Sequence, residues 1–72
     1  MDRLDLRGLK CPLPALRTKQ ALARLPAGAV VEVACTDPMA AIDIPHLVGE
    51  SGDALEASGR DGDVLTFRIR KR

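Results

Sequence analysis

Cys11 is the side chain in this sequence that is best placed to do chemistry. It directly precedes Pro12, and a proline, which fixes φ near the helical value and lacks an N–H, fits the first position of a helix. This order predicts Cys11 as the N-cap, with its sulfur at the positive end of the helix dipole. Positive potential favours the thiolate, which is the nucleophilic form of cysteine. The segment therefore predicts a thiol that is presented for nucleophilic or transfer chemistry.

The prolines limit which backbone groups can reach that sulfur. Pro14 has no N–H, so the remaining donors are the N–H groups of Leu13 and of Cys11 itself. A charge at a helix end gains about 0.3–1 kcal/mol, and a tenfold change in ionisation corresponds to about 1.4 kcal/mol. We therefore expect the helix end to lower the pKa of Cys11 only slightly, with Lys10 and Arg7 or a docked partner supplying further activation.

The elements on either side of the motif follow from apolar spacing. Residues 4–7 alternate apolar and polar side chains, as a half-buried strand does. Gly8 then begins a turn into a helix over about residues 12–25, which Pro26 ends. The helix repeat predicts one buried face, formed by Ala15, Thr18, Leu22 and Leu25.

The second half of the sequence repeats this order of elements. Residues 29–35 predict a strand, and Asp37 before Pro38 predicts a second helix start. We expect that helix to restart at residues 43–45, with Asp43 as a new cap, and to bury Ile42, Ile44, Leu47 and Val48. Leu55 and Ala57 indicate a third strand, Asp61-Gly62 a hairpin turn, and Leu65, Phe67 and Ile69 the last strand.

This order predicts an α/β (α+β) fold, a two-layer βαβαββ sandwich. Its mixed four-stranded sheet carries two helices on one face, and we expect residues 1–72 to form a single domain. If the first two strands are parallel, both helices begin at the carboxyl edge of these strands, where open α/β sheets tend to bind ligands. Cys11 and Cys35 would then lie at the same edge.

Composition narrows the class of protein. Hydrophobic residues make up 46% of the 72 residues, Phe67 is the only aromatic residue and the net charge is +1. These values argue against direct nucleic-acid binding, which favours basic patches and stacking aromatics. The charged residues 2–5 do not resemble a signal peptide, and no apolar run reaches the length of a membrane span. We expect a cytoplasmic protein whose two cysteines are reduced.

The stretch from Asp5 to Pro14 resembles the signature of the TusA family of sulfur carriers, also called SirA-like proteins. The resemblance continues through Asp37-Pro38 and residues 43–45 to the terminal hairpin. It implies a βαβαββ sandwich similar to the C-terminal domain of translation initiation factor three. It also implies that Cys11 accepts a sulfane sulfur as a persulfide and passes it on, with Gly8, Pro12 and Pro14 as the supporting motif.

The resemblance also implies partners. Donors in the family include cysteine desulfurases and rhodanese-type sulfurtransferases, and acceptors include DsrE-like relay proteins and other sulfurtransferases. The sulfur ends in thiolated tRNA, in molybdenum-cofactor metabolism or in sulfur oxidation. We expect a stoichiometric carrier rather than an enzyme, acting as a monomer without a cofactor, a bound metal or a membrane.

Two positions depart from the familiar pattern of the family. Cys35 stands where a small residue without a thiol is expected, and His46 stands where glycine is frequent. We interpret Cys35 as a packed small hydrophobe, although a resolving thiol that pairs with Cys11 in a redox or regulatory module stays open. His46 has no metal-ligand spacing to the cysteines, so we expect it to cap the helix or to face solvent.

Two charged regions could contact partners. Leu13 is an apolar residue on the polar face of the first helix, ringed by Arg7, Lys10 and Arg17. An apolar contact surrounded by positive charge suits an acidic partner, although a solvated helix face with one stray leucine is the simpler alternative. The basic run at residues 68–72 predicts a solvated strand edge, with direct tRNA contact as the weaker interpretation.

Overall fold

The computed structural model describes residues 2–72 and contains strands and helices in the predicted order. The elements are β1 (Asp2–Leu6), α1 (Leu13–Arg24), β2 (Val30–Cys35), α2 (Ala40–Ser51), β3 (Ala54–Asp61) and β4 (Val64–Arg70). Neither helix is long and apolar enough to cross a membrane, a finding that covers residues 2–72.

The strands form one mixed sheet in the order β1-β2-β4-β3. β1 and β2 are parallel, and β4 runs antiparallel to both β2 and β3. The two helices pack against each other and bury side chains in one common core with the sheet. The predicted mixed four-stranded sheet with two helices is therefore confirmed.

Alternating residues of the two central strands form the floor of that core. Val33, Cys35 and Ile69 are completely buried, and Phe67 is almost so. Leu22 of α1 and Ile44 and Val48 of α2 pack onto them from above. Strand alternation thus places the predicted apolar positions against the helices.

The parallel pairing of β1 with β2 decides where the thiol lies. Leu6 at the end of β1 is in register with Cys35 at the end of β2. The chain therefore leaves both strands at the same edge of the sheet, and both helices begin there.

The structure corrects the predicted break in the second helix. α2 runs without interruption from Ala40 to Ser51 with Pro45 inside it, and Asp43 does not cap a new helix. Proline in a helix removes one backbone hydrogen bond, but Ile44 and Val48 are 0% and 2% exposed and hold the helix on the sheet. Burial of these side chains outweighs the local preference of proline.

Ile42 is a second correction in the same helix. It was expected to be buried, but its side chain is 65% exposed. The face of α2 that meets the sheet carries Ala40, Ile44 and Val48, and a position two residues from Ile44 points about 200° away from it. Apolar composition alone could not assign Ile42 to the correct face.

The C-terminal basic run was wrongly expected to lie on a strand edge. β4 lies between β2 and β3 and is an interior strand. Its residue Ile69 is buried, whereas the guanidinium of Arg70 pairs with the Glu56 carboxylate at 2.7 Å. The predicted hairpin is present, with Asp61 in register with Val64 and Gly62 at a φ of +59°.

Candidate functional site

Two hydrogen bonds tie the loop that carries Cys11 to the loop that follows β2. The N–H of Gly8 donates to the Thr36 hydroxyl oxygen at 2.8 Å, and the N–H of Cys11 donates to a carboxylate oxygen of Asp37. Gly8 has a φ of +87°, a backbone conformation that glycine adopts at no steric cost. The adjoining ends of two parallel strands thus fix the position of the thiol.

Asp37 links the thiol loop to the start of α2. One of its oxygens accepts the Cys11 N–H, and the other accepts the N–H of Met39 at 3.1 Å. Its backbone carbonyl also accepts the Ala40 N–H at 3.0 Å. The residue therefore forms the turn that precedes α2 and also holds the backbone of Cys11. The N-cap of α2 is Met39, so the helix begins two residues later than the position of Pro38 predicted.

The prediction that Cys11 is the N-cap of α1 is wrong. Pro12 occupies that position, the Cys11–Pro12 peptide is cis and no side chain caps the helix. The Leu13 N–H donates to the carbonyl of Lys10 at 2.9 Å, while the Cys11 N–H is occupied by Asp37. Neither of the two expected donors therefore serves the sulfur, because the helix starts one residue later than the prolines suggested.

The Cys11 sulfur faces a carboxylate instead. Its S–H donates to Oδ2 of Asp43 at a sulfur–oxygen distance of 3.2 Å. This hydrogen bond raises the pKa of the Cys11 thiol above its usual value, and the charges of Asp43 and Asp37 act in the same direction. This environment therefore acts against the expected lowering of the pKa of Cys11.

The thiol borders a shallow groove of about 380 Å³ between the two loops. Cys11 is exposed, so a partner can approach the sulfur directly. Residues from both loops and from the start of α2 line the groove: Gly8, Leu9, Lys10, Cys11, Thr36, Asp37, Pro38 and Met39.

Exposed apolar side chains lie at the start of both helices, and one of them, Met39, lines this groove. The apolar rim, as we call it, consists of Leu13, Leu16, Met39 and Ile42, which are 40%, 48%, 45% and 65% exposed. Sequence reasoning identified only Leu13. Leu16 lies three residues after Leu13, and Ile42 lies three residues after Met39. This spacing places both members of a pair on one helix face and was the signal for the other three residues.

The basic residues predicted around Leu13 occupy different environments. The guanidinium of Arg7 is held by the Asp5 carboxylate at 2.8 and 3.0 Å, a contact that lowers the pKa of Asp5 to about 2. Lys10 lies in the groove beside Cys11. Arg17 is exposed on α1, one turn after Leu13. The structure therefore places Lys10 in the groove that the thiol borders and engages Arg7 in a local pair.

Cys35 lies beneath the site rather than in it. Its side chain is 0% exposed, and burial, helped by the charge of Asp37, raises its pKa to about 11. These properties support the interpretation of Cys35 as a packed small hydrophobe.

Alkylation should distinguish the two thiols. In the folded protein we expect iodoacetamide to modify Cys11 and to leave Cys35 unmodified, because the reagent needs an accessible thiolate. In denaturant both should react. Intact mass after timed quenching measures this, and two modifications at equal rates under native conditions would contradict the burial of Cys35.

His46 forms a pair within α2. Its Nε2 pairs with Oε1 of Glu50 at 2.6 Å, and both side chains are largely exposed on α2. Over residues 2–72, no group of three or more histidine, cysteine, aspartate or glutamate side chains is arranged to hold a metal ion.

The fold and this site can now be compared with known proteins. The sequence model of the family described as Sulfurtransferase TusA matches residues 2–71. The crystal structure of the SirA-like protein from Desulfitobacterium hafniense has a TM-score of 0.85 at 31% identity, covering 97% of this chain and 96% of that one. The chain therefore has the fold of the SirA-like proteins and belongs to the TusA family.

A curated relative carries the name of a sulfur carrier. Sulfur carrier protein TusA of Allochromatium vinosum is 38% identical over 70 residues, which cover 97% of this chain and 92% of the relative. The match spans nearly the full length of both chains. It supports a role for this protein as a sulfur carrier.

Proposed function

We propose that this protein accepts a sulfane sulfur as a persulfide on Cys11 and relays it to a partner sulfurtransferase. The observation that carries the proposal is an exposed thiol held at the open edge of the sheet, by hydrogen bonds between two loops, in a chain of the TusA family. Gly8, Pro12 and Pro14 act as the supporting motif that sets this loop. Transfer between two persulfide-forming proteins requires such an accessible sulfur more than it requires a strong base.

The loading step is a thiol–persulfide exchange. The Cys11 sulfur forms a bond to the outer sulfur of the donor persulfide, and the donor sulfur–sulfur bond breaks. The electron pair of that bond stays on the donor sulfur, which takes up the proton that Cys11 loses. Delivery repeats the exchange in the opposite sense, with the acceptor thiol attacking the outer sulfur on Cys11. No external oxidant or reductant is consumed.

The protein acts in this scheme as a stoichiometric carrier. Each loaded sulfur is delivered once, and the donor and acceptor proteins position the reacting atoms. We propose a cysteine desulfurase or a rhodanese-type protein as donor and a DsrE-like or other sulfurtransferase as acceptor. The sulfur then enters tRNA thiolation, molybdenum-cofactor metabolism or sulfur oxidation. We place the relay in the cytoplasm, where thiols stay reduced.

Docking is proposed to use the surface around the thiol. Leu13 and the rest of the apolar rim supply contact area that a partner can bury. Lys10 and Arg17 provide positive charge beside it, and Arg7 completes the proposed surface, although its charge is balanced by the pair with Asp5. Such a surface suits an acidic partner, because charge complementarity steers encounter and fixes orientation.

Leu13→Asp tests the docking proposal. We expect sulfur transfer to slow about tenfold or more, because the change removes an apolar contact and adds repulsion toward an acidic partner. The fold should persist, since the Leu13 side chain is 40% exposed. Transfer rates and thermal unfolding measure the two effects.

Ala23→Asp is the matched control for this variant. It adds the same charge at another exposed position of α1, close to the C-terminal end of the helix, whereas the thiol lies at the N-terminal end. Its transfer rate should stay close to that of the unmodified protein. Equal rates for Leu13→Asp and the control would remove Leu13 from the docking surface.

Sulfur loading and delivery test the proposed function itself. After incubation with a cysteine desulfurase and cysteine, or with a rhodanese and thiosulfate, intact mass should show one added sulfur that a reductant removes. A chase with an acceptor protein should return the carrier to its original mass. A chain that gains no sulfur from either class of donor would contradict the carrier role.

The alternative, a redox module that uses Cys11 and Cys35, has less support. Both cysteines are free, and Cys35 is buried in the core. Mild peroxide followed by mass analysis separates the two functions, because the redox module requires an internal disulfide.

A further inference from the structure

We propose that Asp43 is a positioning residue that orients the Cys11 sulfur through a hydrogen bond and keeps the empty carrier a neutral, weakly reactive thiol. The proposal rests on the proposed sulfur-carrier function and adds a regulatory property to it. Activation of the sulfur is then left to a partner whose docking surface, acidic overall, places one positive charge beside Asp43.

The contact that carries this proposal joins two separate elements. The Cys11 S–H, from the β1–α1 loop, donates to Oδ2 of Asp43, in the first turn of α2, at 3.2 Å. The N–H of Asp43 donates to the Met39 carbonyl at 2.9 Å. The next residue, Ile44, is completely buried against the sheet. Helix register therefore fixes the carboxylate that meets the sulfur.

The two carboxylates at the site have different tasks. Both oxygens of Asp37 accept backbone N–H groups, from Cys11 and from Met39. Asp43 is the carboxylate that contacts the sulfur itself. Asp37 therefore holds the backbone of the β1–α1 loop, whereas Asp43 sets the direction and the protonation of the Cys11 side chain.

The charges around the sulfur favour the protonated form. Asp43 faces it from α2 and Asp37 from the β2–α2 loop, while Lys10 of its own loop lines the same groove. A carboxylate beside a thiol opposes loss of the proton by repulsion and by the hydrogen bond that the S–H makes. These effects raise the pKa of Cys11, with the Asp43 hydrogen bond as the largest cause.

This arrangement has a consequence for loading. When Cys11 attacks the donor persulfide, its proton must leave and finally reside on the donor thiol. Asp43 makes that loss harder in the free carrier, so the thiol resists alkylation and oxidation between transfers. A cationic group of the donor placed beside Asp43 would offset the repulsion and would restrict activation to the docked complex.

The test measures the rate of Cys11 alkylation by iodoacetamide as a function of pH. In the unmodified protein the inflection should lie above the pKa of an ordinary cysteine. In Asp43→Asn, which keeps the shape of the side chain and removes the charge, we expect a lower inflection. Its rate at neutral pH should be about fivefold or more higher, because one unit charge at this separation in water contributes about that factor.

Glu50→Gln is the matched control, because it removes a carboxylate from the same helix at an exposed position away from Cys11. Its pH profile should match that of the unmodified protein. An unchanged profile for Asp43→Asn would overturn the proposal. If that variant does not fold, an inflection of the unmodified protein at or below that of an ordinary cysteine would also overturn it.

The alkylation result tests the role of Asp43 whether or not the proposed sulfur-carrier function is correct. Loading by a desulfurase, measured by intact mass on the same preparations, reports whether the chain carries sulfur at all. Normal loading with identical alkylation profiles would reject the role of Asp43 alone. Altered profiles without loading by any donor would reject the carrier function and leave the role of Asp43 in place.

Discussion

Ile44→Ala is expected to lower the free energy of unfolding by about 2–5 kcal/mol, whereas Ile42→Ala should change it by about 0.5 kcal/mol or less. Ile44 is 0% exposed and packs between α2 and the sheet, so its truncation leaves a cavity. Ile42 lies on the same helix, two residues earlier, but is 65% exposed. Alanine also favours the helix slightly, which offsets the small loss of contact at Ile42.

Urea denaturation followed by far-ultraviolet circular dichroism measures both variants. The pair is well matched, because the chemical change is identical and only the face of α2 differs. A domain of this size has a total stability of about 4–11 kcal/mol, so Ile44→Ala should remove a large fraction of it. Equal losses of unfolding free energy in Ile44→Ala and Ile42→Ala would contradict the orientation of α2 on the sheet.

Cys11→Ser is expected to abolish sulfur loading and relay, while Cys35→Ala should retain both. Serine cannot form a persulfide, and in the proposed function no other thiol takes part in transfer. Cys35 is buried beneath the site, with a pKa raised to about 11, so it contributes packing rather than chemistry. Its replacement should cost some stability and leave the loaded fraction of the folded protein unchanged.

The measurement uses both variants with the same donor and acceptor. Circular dichroism first confirms that each variant is folded, because Cys35→Ala removes atoms from the core. Loading is then compared by intact mass, and delivery by the loss of that mass on addition of acceptor. Loading of Cys11→Ser at the level of the unmodified protein would reject Cys11 as the carrier site.

The fold was predictable because the sequence follows simple local rules. Alternating residues such as Val31 and Val33 face the helices, and the spacing of Thr18 and Leu22 defines the inner face of α1. The parallel pairing of β1 and β2 was inferred only from connectivity, yet it brings both helix starts to one edge. Local patterns and right-handed connection of these elements leave few other arrangements.

The failures lie where tertiary contacts override local rules. Pro45 predicted a break in α2, but burial of Ile44 and Val48 holds the helix together. The basic run at residues 68–72 predicted a sheet edge, but the strand order places β4 inside the sheet. Strand order depends on contacts between distant segments, which composition and spacing do not encode.

The local sequence around Cys11 also could not predict the groups that surround its thiol. The residues around Cys11 suggested a helix start that would stabilise a thiolate. The carboxylate that its S–H contacts belongs to Asp43, 32 residues away in sequence. The motif therefore indicated the sulfur that we propose as the carrier site, but the groups that surround this sulfur depend on the packing of α2 against the thiol loop.

The most direct test of the sulfur-carrier proposal locates the transferred sulfur. The protein is loaded by a cysteine desulfurase with cysteine, the persulfide is trapped with iodoacetamide, and the peptides are sequenced by mass spectrometry. The proposal predicts one additional sulfur atom on the peptide that contains Cys11 and none on the peptide that contains Cys35. Sulfur on Cys35 alone, or on neither peptide after loading from both donor classes, would contradict it.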